Sequence, residues 1–149
     1  MRFIEITKEN WETAVKLKPR DDQADYLRID AAMHSLARCY VQDDKPDKNI
    51  PYLIEHEGEY IGTFLFRNYG RGCNLTSFFI DENFQGRGLG RLAMSKFLAY
   101  VELNYPRARE IELTITPGNK AAENLYKSLG FEYTGEISEL GNHYMEFHF

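Results

Sequence analysis

Residues 85–91 read Gln85-Gly86-Arg87-Gly88-Leu89-Gly90-Arg91, and no other stretch constrains the chain as strongly. Before it stands Phe78-Phe79-Ile80, an apolar run typical of a buried central strand. After it, Leu92, Ala93, Phe97, Leu98 and Val101 recur at helical spacing, and Pro106 closes the helix. Glycines between strand and helix let the backbone approach a ligand with no side chain in the way. The first N–H groups of the helix lack internal partners, and its dipole favours negative charge there. A pyrophosphate suits that geometry, with Arg87 and Arg91 placed to add charge-assisted contacts. A blander reading is a glycine-rich linker. A dinucleotide-binding turn is a third, but it wants Gly-x-Gly-x-x-Gly early in a parallel βαβ unit with an acid about 20 residues on. Here the spacing is Gly-x-Gly-x-Gly and the unit falls mid-chain.

The patterning around this loop mixes strands and helices. A short strand opens the chain with Phe3, Ile4 and Ile6. Thr7 can cap a helix over residues 8–17, which Pro19 and Arg20-Asp21-Asp22 break. A second helix is expected over 24–41, then a polar loop, Asp43-Asp44-Lys45-Pro46-Asp47. Strands at 50–56 and 60–68 flank the turn Glu57-Gly58-Glu59, and a third runs over 73–80. Beyond the loop follow a helix over 89–104, a strand over 111–116 and a helix over 119–129 stopped by Gly130. Two last strands, 131–138 and 143–149, surround Leu140-Gly141-Asn142. This order predicts an α+β sandwich on one central sheet, and 149 residues without repeats or linkers predict one domain, 1–149.

Composition narrows the partners. Apolar residues at 43% and charged residues at 28% fit an ordinary globular protein and exclude a disordered chain or a disulfide miniprotein. A net charge of −5 argues against nucleic acid, whose binding needs clustered Lys and Arg, and suits a cationic partner better. Cys39 and Cys73 read as free thiols of a reducing compartment. Early charge excludes a signal peptide at the start of this sequence, and no apolar run approaches the ~20 residues of a membrane span. A cytoplasmic protein without a membrane partner is the simplest expectation.

About thirty residues after the glycine loop comes a second pattern, Asn119-x-x-Ala122-x-x-Leu125-Tyr126-x-x-x-Gly130-Phe131. With both motifs in view, the chain resembles the GNAT superfamily of N-acetyltransferases. That family's acetyl-CoA loop, Gln/Arg-x-x-Gly-x-Gly/Ala, is matched by Gln85, Gly88 and Gly90, and its Asn…Ala…Leu-Tyr…Gly-Phe helix is matched in full. The clear likeness spans 75–136. Within the superfamily, Ser77-Phe78-Phe79-Ile80-Asp81-Glu82 and Gly135-Glu136 look like bacterial spermine/spermidine (diamine) acetyltransferases.

The resemblance implies an acyl-CoA N-acyltransferase fold, with a mixed sheet of about six or seven strands and about four helices, splayed between its fourth and fifth strands. It implies acetyl-CoA as cosubstrate, no metal, no acyl-enzyme, and direct attack by the amine in a ternary complex. Phe79, Ile80 and Asp81 would offer backbone groups to the pantetheine arm, a ligand adding itself as a strand. Gln85, Gly86, Arg87, Gly88, Leu89, Gly90 and Arg91 would hold the pyrophosphate. Asn119 would face the pantetheine, and Asn124 and Lys127 would reach the cofactor. The Ile80 N–H would stabilise the oxyanion. Tyr126 would protonate the departing thiolate; a phenol near ~10 stays protonated at neutral pH, as an acid must. From spacing alone Tyr126 reads equally as a core aromatic beside Leu125 and Leu129.

The attacking amine must lose a proton, since an alkylammonium titrates near ~10.4. Where several polyamine acetyltransferases carry an acid on the fourth strand, this chain has Thr76 and Ser77. Glu55 and Glu82 are substitutes, each also readable as a solvated surface charge. Asp21, Asp22, Asp25 and Asp30 would form an acidic entrance for a polyamine such as spermine or spermidine; each alone reads as a helix-start acid. Asp43, Asp44 and Asp47 alternate with Lys45 and Lys48 as a solvated loop. His34 is expected as a packed core histidine, and His56, His143 and His148 lack metal-ligand spacing. Cys73 is expected as a small buried residue. Other acceptors (an aminoglycoside, an amino acid, a protein N-terminus) and a non-catalytic CoA sensor remain open. So does the aromatic tail Tyr144, Phe147 and Phe149, which suits a homodimer contact or the completion of the core.

Overall fold

The computed structural model describes residues 1–23, 25–27, 31–41 and 47–149. Seven strands form one sheet: β1 (Arg2–Glu5), β2 (Ile50–His56), β3 (Glu59–Asn68), β4 (Gly72–Ile80), β5 (Glu110–Ile115), β6 (Glu132–Ile137) and β7 (His143–His148). The helices are α1 (Trp11–Ala14), α2 (Ala31–Val41), α3 (Leu89–Asn104) and α4 (Lys120–Lys127). The strand order is β1-β2-β3-β4-β5-β7-β6. Every pairing is antiparallel except β4 with β5.

The expected sandwich is therefore present, with two departures near the N-terminus. The helix expected over 8–17 is a single α-turn, Trp11–Ala14. Thr7 uses its carbonyl on Asn10 and Trp11, and its hydroxyl on the Glu9 N–H, so it makes a local turn. In the span expected as a helix over 24–41, the described residues begin after a 3₁₀ turn at Asp21–Gln23, and α2 starts at Ala31. Asp30, Asp43 and Asp44 fall outside the described residues.

The main core lies between the sheet and α3 and α4. Ile54, Phe64, Phe66, Ile111, Leu113 and Met145 of the sheet meet Phe97 and Val101 of α3, Tyr126 of α4 and Phe131. Phe147 packs partly buried against this core, the core-completing reading of the aromatic tail, while Phe149 stays exposed. A smaller cluster on the opposite face joins Phe79 to Ala31 and Ala32 of α2, with Leu17 and Leu27 beside it.

Two irregularities in β4 position the site. Thr63 pairs with Phe79 but Leu65 with Thr76, so β4 carries one residue more than β3 across that interval. The surplus is a β-bulge at Ser77 and Phe78, with Ser77 at φ +53°, in the left-handed region. Then β4 leaves β5. The two are paired only at Gly72–Glu110, Cys73–Ile111 and Asn74–Glu112, and beyond those residues they part.

Candidate active site

A cavity of about 580 Å³ fills the gap where β4 and β5 part. One wall is β4 from Leu75 to Ile80; the other is β5 and its extension, Leu113 to Thr116. Gln85, Gly86, Gly88 and Gly90 close one end, and Asn119, Ala121, Ala122, Leu125 and Tyr126 come from α4. Gln23, Tyr26, Leu27 and Arg38 line it from the N-terminal segments, and Leu140 and Asn142 from the β6–β7 turn.

Neighbouring contacts set the backbone of β4. The Phe79 carbonyl lies against Gly62, where a Cβ would sit 2.2 Å from its oxygen. The Asp81 N–H donates to the Ile61 carbonyl at 2.8 Å. Both groups face β3, so Ile80, between them, turns its N–H and C=O toward the cleft. Its carbonyl is taken by the Gln85 side chain, whose Nε2 donates at 2.7 Å. The Ile80 N–H is thus turned into the cleft.

The loop after β4 begins at Asp81, only 4% exposed. Its carboxylate accepts from the Lys18 N–H at 3.0 Å and from the backbone and side-chain N–H groups of Asn83 at 3.0 and 2.9 Å. Gly86 (φ +76°) and Gly88 (φ +73°) occupy left-handed backbone that side chains seldom adopt, and the space where a Cβ would project is open at both. Gly88 caps α3, a helix of sixteen residues, so unpaired N–H groups and the positive dipole end face this cradle. Such a terminus accepts a phosphate.

Tyr126 sits across the cavity on α4, 7% exposed, its ring 5.5 Å from that of Phe131. Burial pushes its phenol well above its ordinary value. Asn119 caps α4, its Oδ1 accepting the Ala122 N–H at 3.2 Å.

Of the expected site residues, Phe79, Ile80, Gln85, Gly86, Gly88, Gly90, Asn119 and Tyr126 come together on the cavity wall. Arg87, Leu89, Arg91, Asn124 and Lys127 lie outside that wall. Arg87 donates to the Asn83 carbonyl at 2.9 Å, and Arg91 holds the Ser128 hydroxyl and carbonyl at the end of α4. Lys127 pairs with Glu123 at 2.8 Å and lies 5.0 Å from the centre of the Tyr133 ring.

The candidate bases are placed elsewhere. Glu55, readable as a solvated charge, is 8% exposed and ion-paired with Arg2; its other oxygen accepts the Gly58 N–H at 3.3 Å. Glu82 pairs with Lys18 at 3.1 Å. Among the described residues, no carboxylate or imidazole lines the cavity. Thr76 does line it, with a buried hydroxyl that has no partner among the described residues. His34 is exposed on α2, which corrects its expected place in the core, because α2 turns Ala31, Ala32 and Ser35 inward instead. Cys73 is buried as expected, and burial raises its thiol above the usual range. Asp21, Asp22 and Asp25 are exposed, and Asp22 pairs with Arg20 at 3.0 Å.

Sequence reasoning missed Gln23, Tyr26, Leu27, Arg38, Thr114, Thr116, Leu140 and Asn142 as wall residues. The β6–β7 turn is marked by Leu140-Gly141-Asn142, but a turn motif does not reveal which cleft it overhangs.

A sheet that parts around a cavity, with a glycine cradle at a helix N-terminus on one side, is the architecture of a CoA-dependent acyltransferase. The chain belongs to the acetyltransferase (GNAT) family, which it matches over residues 3–131. The fold is the GNAT fold. Among relatives, the spermine/spermidine N(1)-acetyltransferase of Bacillus subtilis (strain 168) is 31% identical, over 94% of this chain and 93% of its own length. Solved structures with the same fold include the spermidine N-acetyltransferase of Vibrio cholerae in complex with CoA and spermine, at TM-score 0.73, 16% identity and coverage of 99% and 94%. The aminoglycoside acetyltransferase AAC(6')-Ib in complex with coenzyme A superposes at TM-score 0.75, 18% identity and coverage of 98% and 93%. Among the described residues no helix is long and apolar enough to cross a membrane, and no group of His, Cys, Asp or Glu is arranged to hold a metal.

Proposed function

We propose that this chain transfers the acetyl group of acetyl-CoA to a primary amine of spermine or spermidine, by direct attack in a ternary complex. The observation that carries the reading is the parting of β4 from β5, with the Ile80 N–H on one wall and the Tyr126 phenol on the other. A pantetheine arm laid along β4 fits the gap. Gly86, Gly88 and the first turn of α3 take the pyrophosphate, and Arg87 and Arg91 swing from their present partners to its outer oxygens. Asn124 and Lys127 reach the cofactor from the outer side of α4. The polyamine acceptor is supported by the likeness to the Bacillus enzyme.

In this reading the neutral amine attacks the thioester carbonyl, and the Ile80 N–H holds the developing oxyanion. The C–S bond then breaks and the Tyr126 O–H gives its proton to sulfur. Burial raises the phenol, and desolvation of the thiolate beside it raises the sulfur's proton affinity in the same direction. The proton the amine gives up returns to the phenolate through water.

One observation favours a second reading. Arg38 places a cation on the acceptor side of the cavity, which suits an amine bearing a carboxylate, such as an amino acid, better than a polycation. A free-thiol assay with acetyl-CoA and an amine panel separates the two. CoA release with spermine and spermidine, but not with amino acids or kanamycin, supports the polyamine acceptor. The reverse pattern transfers the assignment. Binding of CoA without release for any amine would leave a sensor.

A further inference from the structure

Gln85 was expected at the pyrophosphate, but its side chain turns the other way. Its Nε2 donates to the Ile80 carbonyl at 2.7 Å and to the Gln23 Oε1 at 2.9 Å. Gln23 stands sixty-two positions earlier in the chain, on the N-terminal side of the cavity. Its Oε1 also accepts the Arg20 N–H at 3.2 Å, and its carbonyl accepts the N–H groups of Tyr26 and Leu27, each at 2.9 Å. Tyr26 then reaches the opposite limb of the cleft, its hydroxyl 3.6 Å from where a Cβ on Gly118 would stand. One amide–amide contact therefore joins the loop that would grip the cofactor to the wall that would meet the acceptor. A second tie runs parallel to it, since the Lys18 N–H donates to Asp81 and the Lys18 carbonyl accepts the Glu82 N–H at 2.9 Å.

We propose that Gln85 and Gln23 are a positioning pair that transmits occupancy of the cofactor loop to the acceptor wall formed by Gln23, Tyr26 and Leu27. The inference rests on the acetyl-transfer reading for its kinetic consequence, though not for its structural one. A ligand on Gly86 and Gly88 fixes the residues immediately after Gln85. A fixed Gln85 holds Gln23, and Gln23 holds the N–H groups of Tyr26 and Leu27. Such coupling is reciprocal, so the acceptor must tighten CoA by the same factor as CoA tightens the acceptor. One neutral hydrogen bond of ordinary net strength corresponds to a coupling of about two- to tenfold.

The test compares Gln85→Ala, Gln23→Ala, the double variant and Gln85→Arg. Each is read by calorimetric affinity for CoA, by the acceptor KM and kcat, and by amide exchange at Tyr26 and Leu27 with and without CoA. The expected result is a two- to tenfold rise in acceptor KM in each alanine variant, with CoA affinity within about twofold of the parent; kcat stays near the parent in Gln23→Ala and falls further in Gln85→Ala, which also frees the Ile80 carbonyl. In acceptor KM the double variant should be no worse than Gln85→Ala, because the contact between the pair is already lost there; the bonds of Gln85 to Ile80 and of Gln23 to Arg20 lie outside that coupling. Gln85→Arg keeps a donor for both acceptors and should restore the KM. CoA should slow exchange at Tyr26 and Leu27 in the parent and fail to do so in Gln85→Ala. Loss of CoA affinity in Gln85→Ala with the exchange response intact would overturn the proposal and make Gln85 a phosphate ligand. Additive effects in the double variant would overturn it as well. If the parent releases CoA with no amine, the acetyl-transfer reading fails, and the exchange response alone decides whether the pair couples the two walls.

Discussion

Gly62→Ala tests whether the β3–β4 contact sets the reactive geometry. An added Cβ would stand 2.2 Å from the Phe79 oxygen and 3.2 Å from the Ile80 Cα. An ordinary carbon–oxygen approach is about 3.3–3.6 Å, so the strands must separate by roughly 1 Å. Both clashing atoms belong to the backbone, and no side chain can rotate away. Overpacking of this kind costs about 1–3 kcal/mol, which for a domain near this size lowers Tm by about 2–12 °C. The displaced segment carries the Ile80 N–H, and a misplacement of about 1 Å at a reacting centre lowers turnover by up to ~100-fold. Thermal melting and the thiol-release assay are read together. Gly58→Ala is the comparison, because Gly58 has φ +87° with nothing near its Cβ position; it strains a remote turn and should lower Tm while sparing kcat. Parental Tm and kcat in Gly62→Ala would refute the argument. So would equal losses of kcat in the two variants, which would make the effect one of general stability.

Tyr126→Phe keeps the packing against Phe131 and removes the proton donor, so kcat should fall by about 100- to 10,000-fold with CoA affinity unchanged; parental kcat would remove the acid role. Burial holds the Tyr126 phenol above its unfolded value near ~10, so the stability it lends is complete below about pH 10 and is lost as pH rises through the folded value. Tyr69 and Tyr105, each pushed up to about 12 mainly by burial, act in the same direction. The urea midpoint should therefore decline above about pH 10, and less steeply in Tyr126→Phe. On the acid side, Lys120 and Lys127 hold Glu123 down to about 2. Its contribution is present above about pH 4.5 and fades as pH falls toward the folded value, so Glu123→Gln should flatten the acid limb of the stability curve.

The parts of the fold that depend on local patterning were legible in the sequence. Alternation in Ile111–Thr116, the helical stripe from Leu92 to Val101 and the stop at Gly130 each follow from a period or a backbone preference within one segment. The glycine cradle was legible for the same reason, since Gly86 and Gly88 are needed where the chain turns left-handed. What stayed hidden depends on contacts between distant segments. Phe78-Phe79-Ile80 reads as an unbroken buried strand, yet Ser77 adopts φ +53° and the bulge sends Phe79 to the α2 face and Ile80 to the α3 face. No periodicity announces that extra residue, and the close approach of the Phe79 carbonyl to Gly62 of β3 joins residues seventeen positions apart.

Gln85 shows the same limit at the site. Its place in the motif points toward phosphate, while its partner Gln23 sits in a segment whose sequence reads as a charged break. Glu55 is a third instance: flanked by Ile54 and His56 it looks like the polar side of a strand, but it is buried and ion-paired with Arg2 of the neighbouring β1. The sequence therefore marks the glycine loop and α4, both of which the fold brings to the cavity wall. It says little about the wall that would select the acceptor, because that wall is assembled from Gln23, Tyr26, Arg38, Leu140 and Asn142, residues that share no motif and come from separate segments of the chain.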